Sequence, residues 1–275
     1  MGERITCLIC QSGCEPKFKV QIQNKKHSDL YSCTKCGFSF YPNQDWIKES
    51  FSEELNSLDV GSVGRVLLAS DFLGEFIKSE KLSDANFLDY GGGYGLQTRI
   101  MRDRGFKFKN FDPHTQPLFS KYFTGEPSGR YDLVSLIEVS LHFENPVAEF
   151  TKLMELGDYL VFTSVVPGKD FGPDWWYITG ESGQHVAFYP VSSLKEIANQ
   201  LGVLFSSDGK LFHVFHKKPL RIKTRILLRS RILIFAFAII RHGAIYFMKA
   251  LGRNKSLLQQ DQELVKQILK NKAHQ

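Results

Sequence analysis

The spacing of apolar residues changes repeatedly along this chain, and each change marks a new kind of element. Val66, Ala69, Leu73 and Phe76 recur at intervals of three and four, which predicts one apolar stripe along a helix. The run Asn86 to Tyr90 is short and apolar, meets a glycine cluster and hands over to a helical stretch from Leu96, so strand, tight turn and helix are expected in that order. Further strands are expected at Phe106 to Phe111, Leu133 to Ile137 and Tyr159 to Thr163, with Asn145 and Pro146 supplying the cap and first turn of a helix before the last of these. Ser193 and Glu196 stand at capping-box spacing for another helix, stopped by Gly202. Val203 to Ser206 and Lys210 to His216 then flank Asp208 and Gly209, the strongest short hairpin signal. Strands alternating with helices predict an α/β fold, a mostly parallel sheet covered on both faces, and the terminal hairpin predicts one antiparallel edge strand.

A chain of 275 residues exceeds the usual size of one domain, so a main domain with smaller appendages is expected. Four regions follow from the pattern: a cysteine-bracketed module over 1–45, a helical connector over 46–84, the alternating body over 85–216 and a helical tail over 217–275. Charge separates the last two. From Lys217 onward there are 14 Lys and Arg against 2 acids, whereas residues 1–216 carry 21 basic and 27 acidic side chains. The acidic body speaks against nucleic acid as a partner, because a basic ridge across the cofactor face would be needed to neutralise phosphates. In the tail, Arg221, Arg225 and Arg229 lie one helical turn apart and precede the apolar run Ile232 to Ile240, too short for the roughly 20 residues a bilayer-spanning helix needs. Residues 220–251 are therefore expected either to lie on an anionic membrane surface or to dock on the acidic body of their own or a neighbouring chain.

Four of the five cysteines form two CxxC pairs, Cys7 with Cys10 and Cys33 with Cys36. Each pair presents two thiolates from one tight turn, a pattern specific for tetrahedral Zn²⁺ and more at home in a reducing cytosol than a disulfide framework. Cys14 is left over, and His27 is a substitute ligand. No secretory signal precedes Cys7, which adds to the expectation of a cytoplasmic protein, with the inner membrane surface as a peripheral site.

The central motif is Phe87 to Gly95, FLDYGGGYG, in which Asp89 closes a strand and Gly91, Gly93 and Gly95 alternate before a helix. Such glycines let the backbone turn sharply and approach a ligand, and the helix N-terminus offers free N–H groups, so a nucleotide-type ligand is implied. The dinucleotide fingerprint would need glycine at Leu96, and a P-loop would need a GK[ST] that is absent. The motif resembles motif I of the class I S-adenosylmethionine-dependent methyltransferases, which have a Rossmann-like doubly wound sheet. The resemblance implies that the glycine turn holds the methionine end of the cofactor and that Asp112, 17 residues after Gly95, takes the ribose hydroxyls; a turn cap before Pro113 is the alternative for Asp112. Tyr131 to Pro146 resembles the family's fourth-strand segment, with Glu138, Val139 and His142 in place and Leu141 where a second Glu is usual. Trp175 to Pro190 resembles the lid and substrate loop of a subgroup linked to sugar and polysaccharide methylation, some of whose relatives carry an N-terminal zinc module and a His base after an acid. Here Gln184 precedes His185.

Methyl transfer is an in-line displacement on a sulfonium, so positioning and exclusion of water do most of the work. A hydroxyl or carbon acid also needs a base near neutrality, which makes His142 and His185 the candidate catalytic residues. His213 and His216 are expected to be structural, and Trp175, Trp176 and Tyr177 to close over the site or pack. The expectation is a methyltransferase acting on a small-molecule or glycan acceptor, with Asp89, Gly91, Gly93, Gly95, Asp112 and Glu138 at the cofactor and Cys7, Cys10, Cys33 and Cys36 at zinc. The alternatives are an RNA base methyltransferase, some of which also carry a zinc module, and an inactive scaffold that binds partners through module and tail.

Overall fold

The computed structural model describes residues 5–52 and 57–230, with isolated positions 243, 263, 266, 267, 270 and 271. The apolar run Ile232 to Ile240, and with it most of the 220–251 stretch, lies outside the described residues.

The body follows the hydrophobic pattern. Helix α1 (Ser62–Glu80) leads into β4 (Asn86–Tyr90), α2 (Leu96–Asp103) and β5 (Lys107–Phe111). Strand β6 (Leu133–Leu136), α3 (Pro146–Leu156) and β7 (Tyr159–Thr163) follow, then α4 (Val191–Gln200), β9 (Leu204–Ser207), β10 (Phe212–His216) and α5 (Ile222–Arg229). The main sheet runs in the order β5-β4-β6-β7-β10-β9. Strand alternation sends Phe87, Leu133 and Val161 to one face, under α1, α2 and α5, and Leu88, Val134 and Leu160 to the other, under α3 and α4. Core packing continues past residue 216, because Leu227 and Leu228 of α5 are buried against the first face.

Two expectations are corrected. The antiparallel strand β10 lies between β7 and β9 and is not an edge. Every residue of β10 is buried and suits an interior position, whereas β9, with Leu204 exposed and the rest half-buried, tolerates the rim. Ser193 is not a helix cap: α4 starts at Val191 behind Pro190, whose fixed φ of −67 already sets the entry, and the Ser193 hydroxyl donates to the Pro190 carbonyl at 2.8 Å. Asn145, by contrast, caps α3 by accepting from Ala148 N, with Pro146 in the first turn.

The N-terminal residues build a second sheet. Strands β1 (Cys14–Ile22) and β2 (Lys26–Cys33) form a hairpin, β3 (Ser39–Phe40) pairs with β2, and β3 also pairs with β8 (Ala187–Phe188), Ser39 opposite Phe188. The lid segment is thus the fourth strand of the cysteine module's sheet. Val20, Ile22, Leu30 and Tyr41 from the module and Trp46 at the start of the connector share a core with Tyr177, Ile178 and Phe188 from the lid and with Leu141. Close approaches fix the contact: Trp46 Nε1 donates to the Gly183 carbonyl at 2.9 Å, and Gln23 N to the Gly180 carbonyl at 2.8 Å. Gly183, at φ +68, has no room for a side chain against the Trp46 ring.

Because β5 and β6 flank β4 on opposite sides, the chain reverses direction across the sheet there. Ligands of open α/β sheets bind outside the carboxyl ends of the strands at such a switch point. The candidate residues fall there.

Candidate active site

The glycine turn begins where β4 ends. Gly93 and Gly95 have φ of +52 and +81, values that other residues rarely adopt. A Cβ on Gly95 would collide with the Ser120 hydroxyl and one on Gly91 would press on Val139, whereas one on Gly93 would meet nothing. The turn is therefore packed from behind and open above Gly93. Asp89 works from behind as well. It is buried, and its carboxylate accepts from Gln97 Nε2 at 2.8 Å, Thr98 Oγ1 at 3.2 Å and Ser135 Oγ at 3.3 Å, as well as from the Thr98 N–H in the first turn of α2. Burial pushes its pKa up to about 7 against those hydrogen bonds. Asp89 shapes the turn and anchors the helix start.

Asp112, at the end of β5, closes the same turn from the far side. Its Oδ2 accepts from Gly93 N at 2.9 Å, and its Oδ1 accepts from His114 N and Thr115 N at 2.8 Å each. The turn-cap alternative is thus realised, and the carboxylate oxygens keep lone pairs for a further donor. Among the described residues, Gln97 Oε1, Asn110 Oδ1 and Ser120 Oγ are buried at this turn without a hydrogen-bond partner. Acceptors left open beside a helix start where Asp89 already takes the Thr98 N–H, together with a clear space over Gly93, fit an adenosyl amino acid.

The opposite wall starts at Glu138, just after β6, whose φ of +58 is strained for a residue with a side chain. Three bonds hold it there: its N–H donates to Thr163 Oγ1 at 2.8 Å, Thr163 Oγ1 donates back to Oε1 at 2.8 Å, and Tyr177 OH donates to Oε2 at 2.8 Å. Burial raises the Glu138 pKa, while those hydrogen bonds and the charge of Arg65 oppose the rise. Arg65 comes from α1 and is ion-paired with Asp59. Sequence reasoning missed Arg65 and missed the bridging role of Tyr177, because nothing in local spacing reports a partner that arrives from a distant segment.

His142 and His185, chosen separately from the sequence, are neighbours with ring centroids 5.7 Å apart. His142 sits in the 3₁₀ turn Ser140–His142 and packs edge-on against Phe51, on which His114 stacks from the other direction at 5.2 Å. Burial, with help from the His114 charge, lowers its pKa to about 4. His185 Nδ1 lies 2.6 Å from the Tyr177 carbonyl. A carbonyl only accepts, so Nδ1 carries the proton and Nε2 keeps a free lone pair. Burial first, and His142 second, hold the His185 pKa well below the ordinary value, so the ring is neutral at pH 7.

The sequence profile of the methyltransferase domain matches residues 66–203, half of the chain, and takes in both walls apart from Phe51 and Arg65. The chain belongs to the methyltransferase domain family. Dependence on S-adenosylmethionine is implied by that membership. No curated protein matches the sequence. Solved structures similar to it include an O-methyltransferase family 2 protein from Planctomyces limnophilus in complex with apigenin, at 14% identity and TM-score 0.39, covering 49% of this chain and 51% of that one. The chain thus spans about half the length of that relative. Magnesium protoporphyrin IX methyltransferase from Synechocystis PCC 6803 with bound S-adenosylhomocysteine is 14% identical, with TM-score 0.42 and coverage of 62% of this chain and 95% of that one. An O-methyltransferase family protein from Burkholderia thailandensis is 13% identical, with TM-score 0.45 and coverage of 63% and 68%.

Where the methyltransferase domain departs from the expected motifs, the side chains have other work. Leu141 is fully buried in the core shared by module and lid. Gln184 has another use: its Nε2 donates to the Ser50 carbonyl at 2.7 Å and so ties the lid to the start of the connector. His213 and His216 are structural as expected, buried on β10 and hydrogen-bonded to Ser207 and Ser206. Trp176 is exposed and Tyr177 buried, so the aromatic run divides between surface and core.

The four cysteines converge. Cys7 and Cys36 sulfurs are 3.6 Å apart, Cys10 and Cys33 3.4 Å, and all four lie within 4.8 Å of one another. Tetrahedral zinc–thiolate bonds of about 2.3 Å put sulfurs roughly 3.8 Å apart, so the donor set fits. Backbone N–H groups of Ile9, Lys35 and Cys36 point at the Cys7 and Cys33 sulfurs at 3.4 Å, as favours thiolates. Cys14 stands outside the cluster with its pKa pushed up to about 12 by burial, and His27 lies along the hairpin opposite Gln21.

Proposed function

We propose that this chain methylates a sugar, free or carried on a nucleotide, lipid or glycan, at oxygen or carbon, with His185 as the general base. The observation that carries the reading is the His185 tautomer: Nδ1–H is held by the Tyr177 carbonyl, which leaves the Nε2 lone pair as the ring's acceptor. Bound S-adenosylmethionine supplies a methyl carbon made electrophilic by its sulfonium. The turn from Gly91 to Gly95 and the Asp112 carboxylate hold that cofactor, Glu138 and Tyr177 fix the opposite wall, and His185 Nε2 takes the proton from the acceptor as the methyl arrives. His142 excludes water and packs against the base. Zinc at Cys7, Cys10, Cys33 and Cys36 holds the sheet to which the lid strand adds, so the metal supports the acceptor wall and takes no part in the chemistry. A base held on the acceptor side suits a neutral hydroxyl or carbon acid, and the excess of acids over residues 1–216 argues against RNA.

The test is transfer of labelled methyl from S-adenosylmethionine to a panel of sugars, nucleotide sugars, glycans and RNA. Label on a sugar that is lost with His185→Ala is the expected result. Label on RNA, or sugar methylation indifferent to His185, overturns the reading.

A further inference from the structure

Helix α5 turns one side inward and holds it firmly. Thr224, Leu227 and Leu228 are buried, and both Arg221 N and Thr224 Oγ1 donate to the Glu80 carboxylate of α1. The other side is left with Arg221, Ile222, Lys223, Arg225, Ile226 and Arg229, all exposed. Ile222 is 66% exposed and Ile226 50%, and they stand one turn apart between the cations. A solvent-facing helix ordinarily mixes both signs of charge, and this one has no acid. Nor has the chain any Asp or Glu between Gly209 and Gln260, a window that carries 12 Lys and Arg.

We infer that the outward face of α5 is a docking surface for an anionic lipid bilayer. Charge alone would suit any acidic partner, including the acidic body of a second copy. The two isoleucines decide between them, because a hydrated acidic surface leaves them in water. At a bilayer the lipid phosphates meet the Arg and Lys heads while the isoleucines enter the headgroup and acyl boundary. No helix among the described residues is long and apolar enough to cross a membrane, so the contact is peripheral. This inference is independent of the acceptor and of the base.

The full chain is sedimented with vesicles of phosphatidylcholine alone and of phosphatidylcholine with an equal part of phosphatidylglycerol. It pellets with the second and not the first, and less as salt shortens the screening length. Ile222→Glu with Ile226→Glu lowers the partition at least tenfold, and Arg225→Gln with Arg229→Gln lowers it by about fivefold per charge, both with an unchanged melting temperature because all four side chains are exposed. Equal pelleting of wild type and the isoleucine double variant overturns the proposal, as does equal binding to both lipid mixtures. A lipid-free dimer that the isoleucine double variant dissociates, with no vesicle binding, overturns it in favour of self-association.

Discussion

The cofactor wall and the acceptor wall of the crevice are built by different means. Asp89, the glycines, Gln97, Thr98 and Asp112 all belong to one strand–turn–helix–strand unit, and most of the bonds that shape the turn run within it, with Ser135 of β6 as the partner from outside. The acceptor wall gathers Phe51, Arg65, Glu138, His142, Tyr177 and His185 from separate segments, and the lid that carries two of them is a strand in a sheet otherwise made by the cysteine module. A locally built wall should survive damage elsewhere in the chain. A wall assembled from distant parts should fail whenever any support is withdrawn.

The largest effect that separates the two is loss of the metal proposed for the module. Chelating zinc, or replacing Cys36 with Ser, removes the anchor of β3 and with it the pairing that holds β8. Methyl transfer should fall by more than about 10², the catalytic gain of a single positioned base, while S-adenosylmethionine affinity by calorimetry stays within a few-fold. Metal analysis should give one zinc per chain, and a metal-free protein with full turnover would show that the module and the acceptor wall are independent. Next in size is His185→Ala, expected to lower kcat by about 10² to 10⁴ with little change in cofactor affinity. His142→Ala should disturb both, since His142 packs against His185 and against Phe51 of the Phe51–His114 stack. On the cofactor wall, Asp112→Ala removes the acceptor for three backbone N–H groups and should weaken S-adenosylmethionine binding by roughly ten- to a hundredfold, from the cost of about 1–3 kcal/mol for an unsatisfied donor. Undiminished affinity in that variant would detach the second-strand acid from the cofactor.

The same division governs how much could be read from the sequence. Strands β4 and β7 are placed residue for residue by their apolar runs, and the glycine turn announces itself because alternating glycines before a helix have few other uses. His142 and His185 stand out because an ordinary imidazole titrates near neutrality, but burial lowers both, His142 to about 4 and His185 well below the ordinary value, and neither that burial nor their proximity shows in the sequence. The β1–β2 hairpin was missed, although Phe18, Val20 and Ile22 alternate with Lys19 and Gln21 as the two faces of a strand do. Nor could sequence show that Tyr177 serves two partners at once, its hydroxyl to Glu138 and its carbonyl to His185. Contacts between segments far apart in the chain leave no periodic trace in either one.

The smallest predicted effect concerns a cost that the cofactor wall carries in the free protein. Asp89 is buried among neutral donors, and its folded pKa of about 7 stands above the ordinary carboxyl value of 3.8. A raised folded pKa means that the carboxyl's contribution to stability is fully present below pH 3.8 and is lost as pH rises toward 7. Above that range the fold holds a desolvated carboxylate. Asp89→Asn removes the charge while keeping the shape, and the Thr98 and Ser135 hydroxyls can turn to accept from the new amide. The variant should match wild type near pH 4 and become the more stable protein as pH rises to about 7, with no further gain beyond. The ceiling is about 4 kcal/mol for three pKa units, reduced by the acceptor lost in the amide, so a rise of a few degrees in Tm is the expected reading at neutral pH. Thermal melts of both proteins across that range provide the check. A constant offset between them would mean that Asp89 is ionised throughout and that its hydrogen bonds outweigh its burial.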